Sequence, residues 1–414
     1  MKSWLDNNLK ALNLVDTMEQ EEGFTRLGYS EEELQSMRVF KELSEELGLY
    51  VRKDEAGNLI ARWEGKKDLP AVTLGSHVDT VKHGGGYDGV AGVLCALGAI
   101  KALKEEAFLP HHPVEVICFA SEESSRFGVS TIGSKSMAGI IKVDELADVS
   151  DDTGVTVKEA VNSTGLNWER IHEAERDERE IKSFVELHIE QGVVIENAGA
   201  QFGVVSAVAC PVRLKVKVTG KMGHTGTTPM GRRQDAFVAT APLITYVSEE
   251  AEKLSQESEH AIVATASTIN LLPNVMTVIP GTVELGIDIR SVDDSLKAKL
   301  ASAIKEKCKE LKEKYHVQME VQILVNNPSV KLDLNLMDNL KKMGEELGYK
   351  GHEMISGAGH DVMNMAKKWP SGLIFIPCKD GLSHHPKEHA SLEDLEMGVH
   401  LLTAYIKRES AELD

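Results

Sequence analysis

An imidazole and two carboxylates that could bind a metal ion or move a proton follow a strand-like apolar run within residues 71–92, AVTLGSHVDTVKHGGGYDGVAG. An apolar run of strand length ends at Gly75, and His77, Asp79 and Asp88 follow it among five further glycines. Imidazole and carboxylate ligands together suit a borderline divalent ion such as zinc. Because glycine lets the backbone fold tightly, His77 and Asp88 can reach one metal centre although eleven positions separate them.

The same residue types accompany three other apolar runs of strand length. They are VEVICFA (114–120) before Glu122 and Glu123, FVELHIEQG (184–192) with His188 and Glu190, and GLIFIP (372–377) before His384 and His385. Open α/β sheets bind ligands at the carboxyl ends of their parallel strands. We therefore expect these groups at one sheet edge, as a site for zinc, manganese, cobalt or nickel.

The positions of these groups suggest their roles. Asp79 can accept the imidazole N–H of His77 and so fix its tautomer, and Asp88 could bridge two ions that polarise a carbonyl. Of Glu122 and Glu123, we expect one to bind metal and its neighbour to take a proton from water. Each motif alone has a plain alternative, since paired glutamates can mark a helix N-terminus and GGGYDG can be a simple turn.

Three other stretches carry candidate functional side chains. GKMGHTGTTPMGRRQDA (220–236) holds His224, DIRS (288–291) ends a strand with Arg290, and ISGAGHDVMNMA (355–366) holds His360 and Asp361. The planar guanidinium of arginine suits a substrate carboxylate. A lone arginine is more often part of a surface ion pair, so the residues alone leave its role open.

A strand–helix–strand pattern positions the first of these groups. The apolar runs 71–76 and 114–120 flank a helical stretch at 90–106, which predicts a mostly parallel sheet. Residues 1–22 and 31–48 are predicted to be amphipathic helices. The charged segment 143–180 is predicted to form helices and loops on the surface.

A second domain is predicted to interrupt the first. Its elements follow the ferredoxin-like order β-α-β-β-α-β, at 211–220, 235–253, 261–270, 282–290, 294–314 and 317–325. Helix 334–347, strand 372–377 and helix 392–409 then resume the first pattern. We therefore predict an α/β fold with a mostly parallel-sheet catalytic domain at 1–209 and 327–414, and an inserted α+β domain at 210–326.

Composition narrows the classes of partner. The 414 residues carry a formal net charge of −19, which opposes binding to nucleic acid or to an anionic membrane surface. No run approaches the roughly 20 apolar residues of a membrane span, and the N-terminus lacks the apolar core of a signal peptide. Because the five scattered cysteines form no CxxC pair, we expect reduced thiols in a cytoplasmic protein.

At this level of detail the chain resembles the M20 metallopeptidase clan, and within it the hydantoinase/carbamoylase branch. That branch contains N-carbamoyl-L-amino-acid hydrolases, β-ureidopropionases and allantoate amidohydrolases. The resemblance runs nearly end to end, through GFTRLGYSEEE (23–33), DEAGNLIARWEG (54–65), GSHVDTVKHGGGYDGVAGV, SEESSRFGVSTIGSKSMAG (121–139), ELHIEQG (186–192), GHTGTTPM (223–230), SGAGHD (356–361) and PCKDGLSHHPKEHA (377–390).

The resemblance implies a centre of two divalent metal ions per subunit, Zn²⁺ or Mn²⁺, with Co²⁺ or Ni²⁺ possible. Its implied ligands are His77, Asp88, Glu123, His188 and His384, with Asp88 bridging. The resemblance makes Glu122 the general base and acid, and Asp79 the partner of His77.

The same resemblance implies a small ureido carboxylate as the substrate and a homodimer formed through the inserted domain, which also acts as a lid. His224 would reach the partner's active site and stabilise the oxyanion. The implied substrate-binding residues are Gln191, which reads the ureido group, Arg290, which clamps the carboxylate, and Asn274, Thr277 and Gly357.

Two positions depart from the family pattern. In PNVMTVIPG, Thr277 stands where the family usually has an asparagine that helps to hold substrate, so we expect a difference in the substrate or in how its carboxylate is held. In SHHP, His385 replaces the usual asparagine, and His384 keeps the ligand position.

The expected reaction is hydrolysis of the terminal ureido C–N bond of an N-carbamoyl-L-amino acid, releasing ammonia, carbon dioxide and the amino acid. Allantoate amidohydrolase of the same branch is an open alternative. So are an M20 aminoacylase or dipeptidase, which would release no ammonia, and a catalytically inactive binding protein.

Overall fold

The computed structural model describes residues 1–412. The α-helices of this part of the chain are α1 Lys2–Leu12, α2 Glu31–Glu46, α3 Val90–Glu105, α4 Ile132–Met137, α5 Val143–Leu146, α6 Val157–Ser163, α7 Val194–Asn197, α8 Ala236–Glu257, α9 Asp294–Tyr315, α10 Leu334–Glu346, α11 Val362–Met365 and α12 Leu392–Glu409. Short 3₁₀ helices lie at Trp168–Ala174, Glu178–Glu180, Met230–Arg232 and Lys379–Gly381.

The strands complete the element list. They are β1 Tyr50–Lys53, β2 Leu59–Trp63, β3 Ala71–His77, β4 Val114–Phe119, β5 Ile181–Ile189, β6 Phe202–Val208, β7 Pro211–Thr219, β8 Gly223–His224, β9 Val263–Leu272, β10 Val278–Ile279, β11 Thr282–Arg290, β12 Gln318–Asn326, β13 Val330–Lys331, β14 Gly351–Ser356 and β15 Ser371–Ile376.

The chain divides into two compact units. The first comprises residues 1–206 and 331–356 together with the chain from His360 onward. The second comprises residues 207–330 and 357–359, so the inserted domain expected at 210–326 lies within it.

A mixed sheet forms the centre of the first unit, with the strand order β1-β2-β4-β3-β5-β15-β6. Its four middle strands, β4, β3, β5 and β15, run parallel to one another. The strands outside them pair antiparallel. The predicted α/β fold with a mostly parallel central sheet is thereby confirmed.

Burial on both faces explains the continuous apolar runs of these middle strands. Every residue of β3, β4 and β15 is buried. Strands covered on both faces need apolar side chains at successive positions, because neither face meets water. Helix α3 is also buried over most of its surface, and it packs against β3, β5 and α12.

Helix α3 approaches β5 closely at one glycine. A Cβ atom built on Gly92 would lie 2.1 Å from the carbonyl oxygen of Leu187, which is the residue before His188. Because that obstacle is backbone, a side chain at Gly92 would push the helix away from the strand. The absence of a side chain at Gly92 therefore sets the distance between the start of α3 and the strand that carries His188.

The second unit is an antiparallel four-stranded sheet covered by two helices. Its strand order is β12-β7-β11-β9, and α8 and α9 pack on the sheet. Alternate residues of β7 and β11 are buried, as expected for strands with one covered face. The element order β7-α8-β9-β11-α9-β12 is the predicted ferredoxin-like one.

The first predicted helix is shorter in the structure than expected. The helix predicted over 1–22 ends at Leu12, because Leu14 takes a left-handed backbone conformation with φ 60°. The side chain of Asn13 instead reaches the glycine-rich loop 84–89 and donates a hydrogen bond of 2.8 Å to the carbonyl of Gly86.

Residues 143–180 form short helices and loops as predicted, but the prediction that the segment lies on the surface is wrong in part. Val157, Trp168 and Ile171 are buried in the core of the first unit. Charged residues around them masked these apolar positions in the sequence. Strands β1, β2, β6 and β14 were also absent from the predicted elements.

Among residues 1–412, no helix is both long enough and apolar enough to cross a bilayer.

The close approach at Gly92 generates the first prediction. We expect Gly92→Ala to lower the free energy of unfolding by about 1–3 kcal/mol, because its methyl group would meet backbone that cannot move aside. Urea unfolding measures the change. Gly231→Ala is the control, since a Cβ there meets no atom within 4 Å; equal stability of both variants would contradict the packing argument.

Candidate metal centre

Imidazoles and carboxylates converge at the carboxyl ends of the four parallel strands. His77 is the last residue of β3, and His188 is the penultimate residue of β5. Glu122 and Glu123 follow the end of β4, and His384 lies in the loop after β15. Because the strands are parallel neighbours, their ends share one edge of the sheet.

Two groups of possible metal ligands lie at this edge, and Asp88 belongs to both. The first group is His77, Asp88 and His188, and the second is Asp88, Glu123 and His384. Within each group the ligand atoms all lie within 4.8 Å of one another. One carboxylate with two oxygens can therefore serve two neighbouring ions.

Distances divide the two oxygens of Asp88 between the groups. Oδ1 lies 3.0 Å from Nε2 of His188 and 3.5 Å from Nε2 of His77. Oδ2 lies 3.5 Å from Nε2 of His384, whose Nε2 is also 3.2 Å from Oε1 of Glu123. Each oxygen of Asp88 thus faces the remaining ligands of one group.

Hydrogen bonds orient two of the imidazoles for metal binding. Nδ1 of His188 lies 2.9 Å from the carbonyl oxygen of Ile189, and Nδ1 of His77 lies 3.0 Å from that of Asp79. A proton on each Nδ1 satisfies these carbonyls, so the Nε2 beside Asp88 is the nitrogen that each ring would offer to a metal ion. The donor set of imidazoles and carboxylates, so oriented, fits a borderline divalent ion.

Asp79 connects the imidazole of His77 to the glutamate loop, which is the segment after β4 that carries Glu122 and Glu123. Its Oδ1 lies 3.2 Å from Nδ1 of His77. The same carboxylate accepts hydrogen bonds from the backbone N–H groups of Glu122, at 3.1 Å, and Glu123, at 2.8 Å. The contact with His77 is the one expected from the sequence. The two backbone contacts leave no local signal in the sequence, because they join segments more than forty residues apart.

Electrostatics separate the carboxylates into two kinds. Burial works to raise the pKa of Asp88, yet the imidazoles of His188, His384 and His77 hold it well below its ordinary value. Burial raises the pKa of the Glu122 carboxyl well above its ordinary value; His77 opposes this, and Glu123 and Asp361 add to it. Asp88 is thus suited to stay ionised as a ligand, and Glu122 is suited to carry a proton.

Gln191 lies beside the shared carboxylate. Its side-chain N–H₂ donates to Oδ2 of Asp88 at 2.6 Å and to Oγ of Ser383 at 3.3 Å. Its backbone is left-handed, with φ 59°, which turns the side chain into the site directly after β5. In the described part of the chain, its buried Oε1 has no hydrogen-bond partner.

Three further ionisable side chains near the site, Glu190, His385 and His360, do not belong to either ligand group. Glu190 accepts the backbone N–H groups of Val194 and Ile195 at the start of α7, so it lies outside both ligand groups. His385 is exposed, and its Nδ1 accepts the N–H of Lys387. His360 is buried with its ring 4.5 Å from that of His188, and burial holds its pKa well below the ordinary value.

Asp361, the neighbour of His360, is also buried. Its Oδ1 accepts a hydrogen bond of 2.5 Å from Oγ of Ser134. Sequence analysis placed both residues near a helix start, and Asp361 immediately precedes α11.

The other candidate residues belong to the second unit. Arg290 ends β11; its Nε donates to Oδ1 of Asp288 at 2.8 Å, and its guanidinium also donates to the carbonyl of Gly357 at 3.0 Å. His224 pairs across β8 and β10 with Val278, the residue after Thr277. Asn274 has a left-handed backbone, with φ 57°. The structure therefore brings Arg290 and Gly357 together, and it places Thr277 next to the strand that faces His224.

Comparison with known proteins gives a consistent set of relatives. The model of peptidase family M20/M25/M40 matches residues 73–408. An N-carbamoyl-L-amino-acid amidohydrolase of Pseudomonas sp. is 36% identical, with 92% of each chain covered. A ureidoglycolate hydrolase of Oryza sativa is 36% identical, covering 94% of this chain and 81% of that one. The allantoate amidohydrolase of Escherichia coli is 34% identical, covering 92% and 91%.

Solved structures agree with these relatives. AtUAH in complex with glyoxylate matches with a TM-score of 0.86 and 34% identity, covering 99% of this chain and 97% of that one. An amidase of the hydantoinase/carbamoylase family from Burkholderia multivorans matches with a TM-score of 0.87 and 27% identity, covering 100% and 99%. Both likenesses extend over the whole chain.

Protonation of the metal-free site generates the second prediction. Hydrogen bonds to Asp88 and Glu123 raise the pKa of His384 to about 11, so this imidazole is protonated near neutral pH. Metal binds only the unprotonated ring, so binding must release a proton. We expect the apparent zinc affinity to rise with pH, by about tenfold per pH unit for each proton released.

Calorimetry of zinc binding in buffers of different ionisation enthalpy counts these protons. His385→Ala is the control, because this exposed neighbour lies outside both ligand groups. Zinc binding with no proton release would contradict the assigned protonation of His384.

Proposed function

The chain belongs to peptidase family M20/M25/M40, and from this premise we propose that it hydrolyses the terminal ureido C–N bond of an N-carbamoyl-L-amino acid. It is an amidohydrolase of the carbamoylase and allantoate branch, acting on C–N bonds other than peptide bonds. The observation that carries the proposal is the sharing of Asp88 between two groups of possible ligands, beside the carboxyl of Glu122, whose pKa burial raises.

The proposed centre holds two divalent ions, Zn²⁺ or Mn²⁺, with Co²⁺ or Ni²⁺ as further candidates. His77 and His188 would hold one ion, Glu123 and His384 the other, and Asp88 both. Bound ions of this kind supply a Lewis acid that polarises a carbonyl and acidifies water. The protein orients their ligands through Asp79 and the carbonyl of Ile189.

Glu122 is the group that we assign to proton transfer. It is buried, and its Oε2 lies 3.8 Å from Nε2 of His77, at the edge of the first ligand group. Glu122 takes a proton from the attacking water and returns it to the departing nitrogen as the C–N bond breaks. This step consumes one water and gives ammonia and the N-carboxy amino acid. The N-carboxy amino acid, a carbamate, then loses carbon dioxide as its remaining carbamate C–N bond breaks, which gives the free amino acid.

Arg290 is the proposed clamp for the substrate carboxylate. Asp288 binds both Arg290, at 2.8 Å, and Arg213, at 2.9 Å, so the three side chains together keep one positive charge. The side chain of Arg290 is 31% exposed, which leaves part of the guanidinium open to a ligand. A guanidinium that already has a fixed orientation loses less entropy when it binds a carboxylate.

His224 is the proposed donor to the oxyanion. Its Nδ1 accepts a hydrogen bond of 3.0 Å from the backbone N–H of Gly226. In the neutral ring the proton then resides on Nε2, which makes Nε2–H the outward-facing donor. The side chain is exposed, as a group that serves another chain must be.

We also propose a homodimer formed through the second unit, in which His224 acts on the partner's substrate. Strand β9 is an edge of its sheet, and several apolar side chains on β9 and the loop after it are exposed: Val263, Ile269, Leu272, Val275 and Met276. An exposed apolar edge strand favours pairing with a second copy. The same unit would close over bound substrate as a lid, which excludes water.

A cytoplasmic location is part of the proposal. All five cysteines are free and buried. Free cysteines without any disulfide are typical of proteins that work in a reducing compartment.

Allantoate hydrolysis is the second candidate function. The relatives include allantoate amidohydrolases as well as carbamoylases, and allantoate carries the same ureido and carboxylate groups. Thr277 suggests that this chain holds its substrate differently from relatives with asparagine at that position, because threonine is shorter and has no amide to donate. An M20 aminoacylase or dipeptidase activity is the third candidate.

Ammonia release distinguishes these candidates and generates the third prediction. Protein loaded with Mn²⁺ or Zn²⁺ is offered N-carbamoyl-L-amino acids, N-carbamoyl-β-alanine, allantoate, an N-acetyl amino acid and a dipeptide. We expect rapid ammonia release from an N-carbamoyl-L-amino acid, because the proposed site cleaves its terminal C–N bond. Preferred release from allantoate would select the second candidate. Cleavage of only the acetyl compound or the dipeptide would overturn the ureido assignment.

A mixture of two inactive variants tests whether His224 acts across the dimer. We expect Glu122→Gln and His224→Ala each to lose at least about 100-fold in activity. Mixed dimers contain one site with an intact Glu122 that also receives an intact His224 from the other chain. A random mixture should therefore recover about a quarter of wild-type activity.

Activity of the mixture is measured after the two variants are unfolded and refolded together. Each variant refolded alone is the control. If His224 acted within its own chain, every site in the mixture would lack one group, and no activity would return.

A further inference from the structure

Glu388 binds two loops that carry metal ligands. Its Oε1 accepts hydrogen bonds from the backbone N–H groups of Tyr87 and Asp88, both at 2.9 Å. Its Oε2 accepts hydrogen bonds from Oγ of Ser383 at 3.0 Å and from the backbone N–H of His384 at 3.3 Å. Both oxygens of this one carboxylate are thus used twice.

The two loops that Glu388 joins are far apart along the chain. One lies between β3 and α3, and the other follows β15, so the residues that Glu388 joins are up to 301 positions apart along the chain. Neither Asp88 nor His384 lies in a helix or strand, so no regular hydrogen-bond ladder holds its backbone. Glu388 itself is only 4% exposed, which protects its hydrogen bonds from water.

The glycine run before Asp88 makes room for this carboxylate. A Cβ atom on Gly85 would lie 2.2 Å from Oε1 of Glu388 and 2.3 Å from its Cβ. Any side chain at Gly85 would therefore displace Glu388 from the loop. The second glycine of GGGYDG thus has a defined steric role in addition to its flexibility.

We propose that Glu388 is a positioning residue that sets the distance between Asp88 and His384 and thereby shapes the second of the two metal positions. This inference rests on the proposed two-ion centre. The second group, Asp88, Glu123 and His384, has two of its three ligands held directly by Glu388. The first group, His77, Asp88 and His188, has only one, so loss of Glu388 affects the second ion more strongly.

A carboxylate is required because every partner at this point donates a hydrogen bond. Glutamine at 388 would keep one acceptor oxygen, but its N–H₂ group would face either the N–H groups of Tyr87 and Asp88 or the hydroxyl of Ser383 and the N–H of His384. Two donors facing each other leave buried polar groups without partners. Glu388→Gln therefore perturbs the hydrogen bonds with little change in volume.

Retention of zinc during competition with a chelator tests the inference. Wild type, Glu388→Gln and the control Glu393→Gln are loaded with Zn²⁺, and bound zinc per chain is measured by atomic absorption as chelator is added. Glu393 is an exposed glutamate on the nearby helix α12 that pairs with Lys2 at the surface. We expect Glu388→Gln to lose one zinc per chain at about 10- to 100-fold lower chelator concentration than wild type, while the control retains both.

A second variant keeps the test independent of any folding defect in the first. Gly85→Ala keeps Glu388 chemically intact but displaces its carboxylate from the loop. We therefore expect the same selective loss of one zinc. The double variant should lose little more than either single variant, because both act through one contact.

Three outcomes would overturn the inference. One is zinc retention by Glu388→Gln and Gly85→Ala equal to that of wild type. The second is equal weakening of both zinc ions together with a lower unfolding temperature of the metal-free protein, which would assign Glu388 to the fold alone. The third is strict additivity of the two substitutions. Failure of wild type to bind any divalent ion would instead reject the proposed function itself.

Discussion

The shared carboxylate of Asp88 is the constraint on which the rest of the site depends. Its two oxygens face two different sets of ligands, so its position must be correct relative to both at once. A displacement of the kind that loops usually tolerate would weaken both sets together, because ligand distances vary little among proteins. The position of Asp88 is fixed by rigid secondary structure on one side and by buried hydrogen bonds on the other.

The rigid side is the central sheet and the helix that packs on it. His77 and His188 lie at the ends of adjacent parallel strands, and their spacing follows from strand pairing. The start of α3 is held close to β5 by the absence of a side chain at Gly92. The other side is formed by loops, and there the buried carboxylates of Asp79 and Glu388 accept hydrogen bonds from backbone N–H groups of the loops that carry the possible ligands. The acidic residues of this site therefore include two that hold loop backbone through hydrogen bonds, besides those proposed as metal ligands and as the proton carrier.

Sequence alone was informative where local pattern determines structure. The buried strands and α3 could be predicted because apolar runs of strand length and a helical stretch alternate along the chain. The strand ends then indicated where His77 and His188 would lie. Strand β2, LIARW, escaped prediction because it is short, and the helix predicted over 1–22 was too long because nothing local marks its end at Leu12.

Contacts between distant segments were beyond prediction for a different reason. The hydrogen bonds of Glu388 join residues 300 positions apart, and no spacing within the sequence signals such a contact. The same holds for the backbone contacts of Asp79 with the glutamate loop and for the donation from Gln191 to Asp88. Local sequence therefore named the groups that could do chemistry, and the fold was needed to find the groups that hold them in place.

The most direct measurement of the central claim is anomalous X-ray diffraction at the zinc edge from crystals of the zinc-loaded protein. If Asp88 is shared, two anomalous peaks should flank its carboxylate about 3.5–4 Å apart, one beside His77 and His188 and the other beside Glu123 and His384. A single peak, or two peaks of which only one contacts Asp88, would contradict the shared-carboxylate centre.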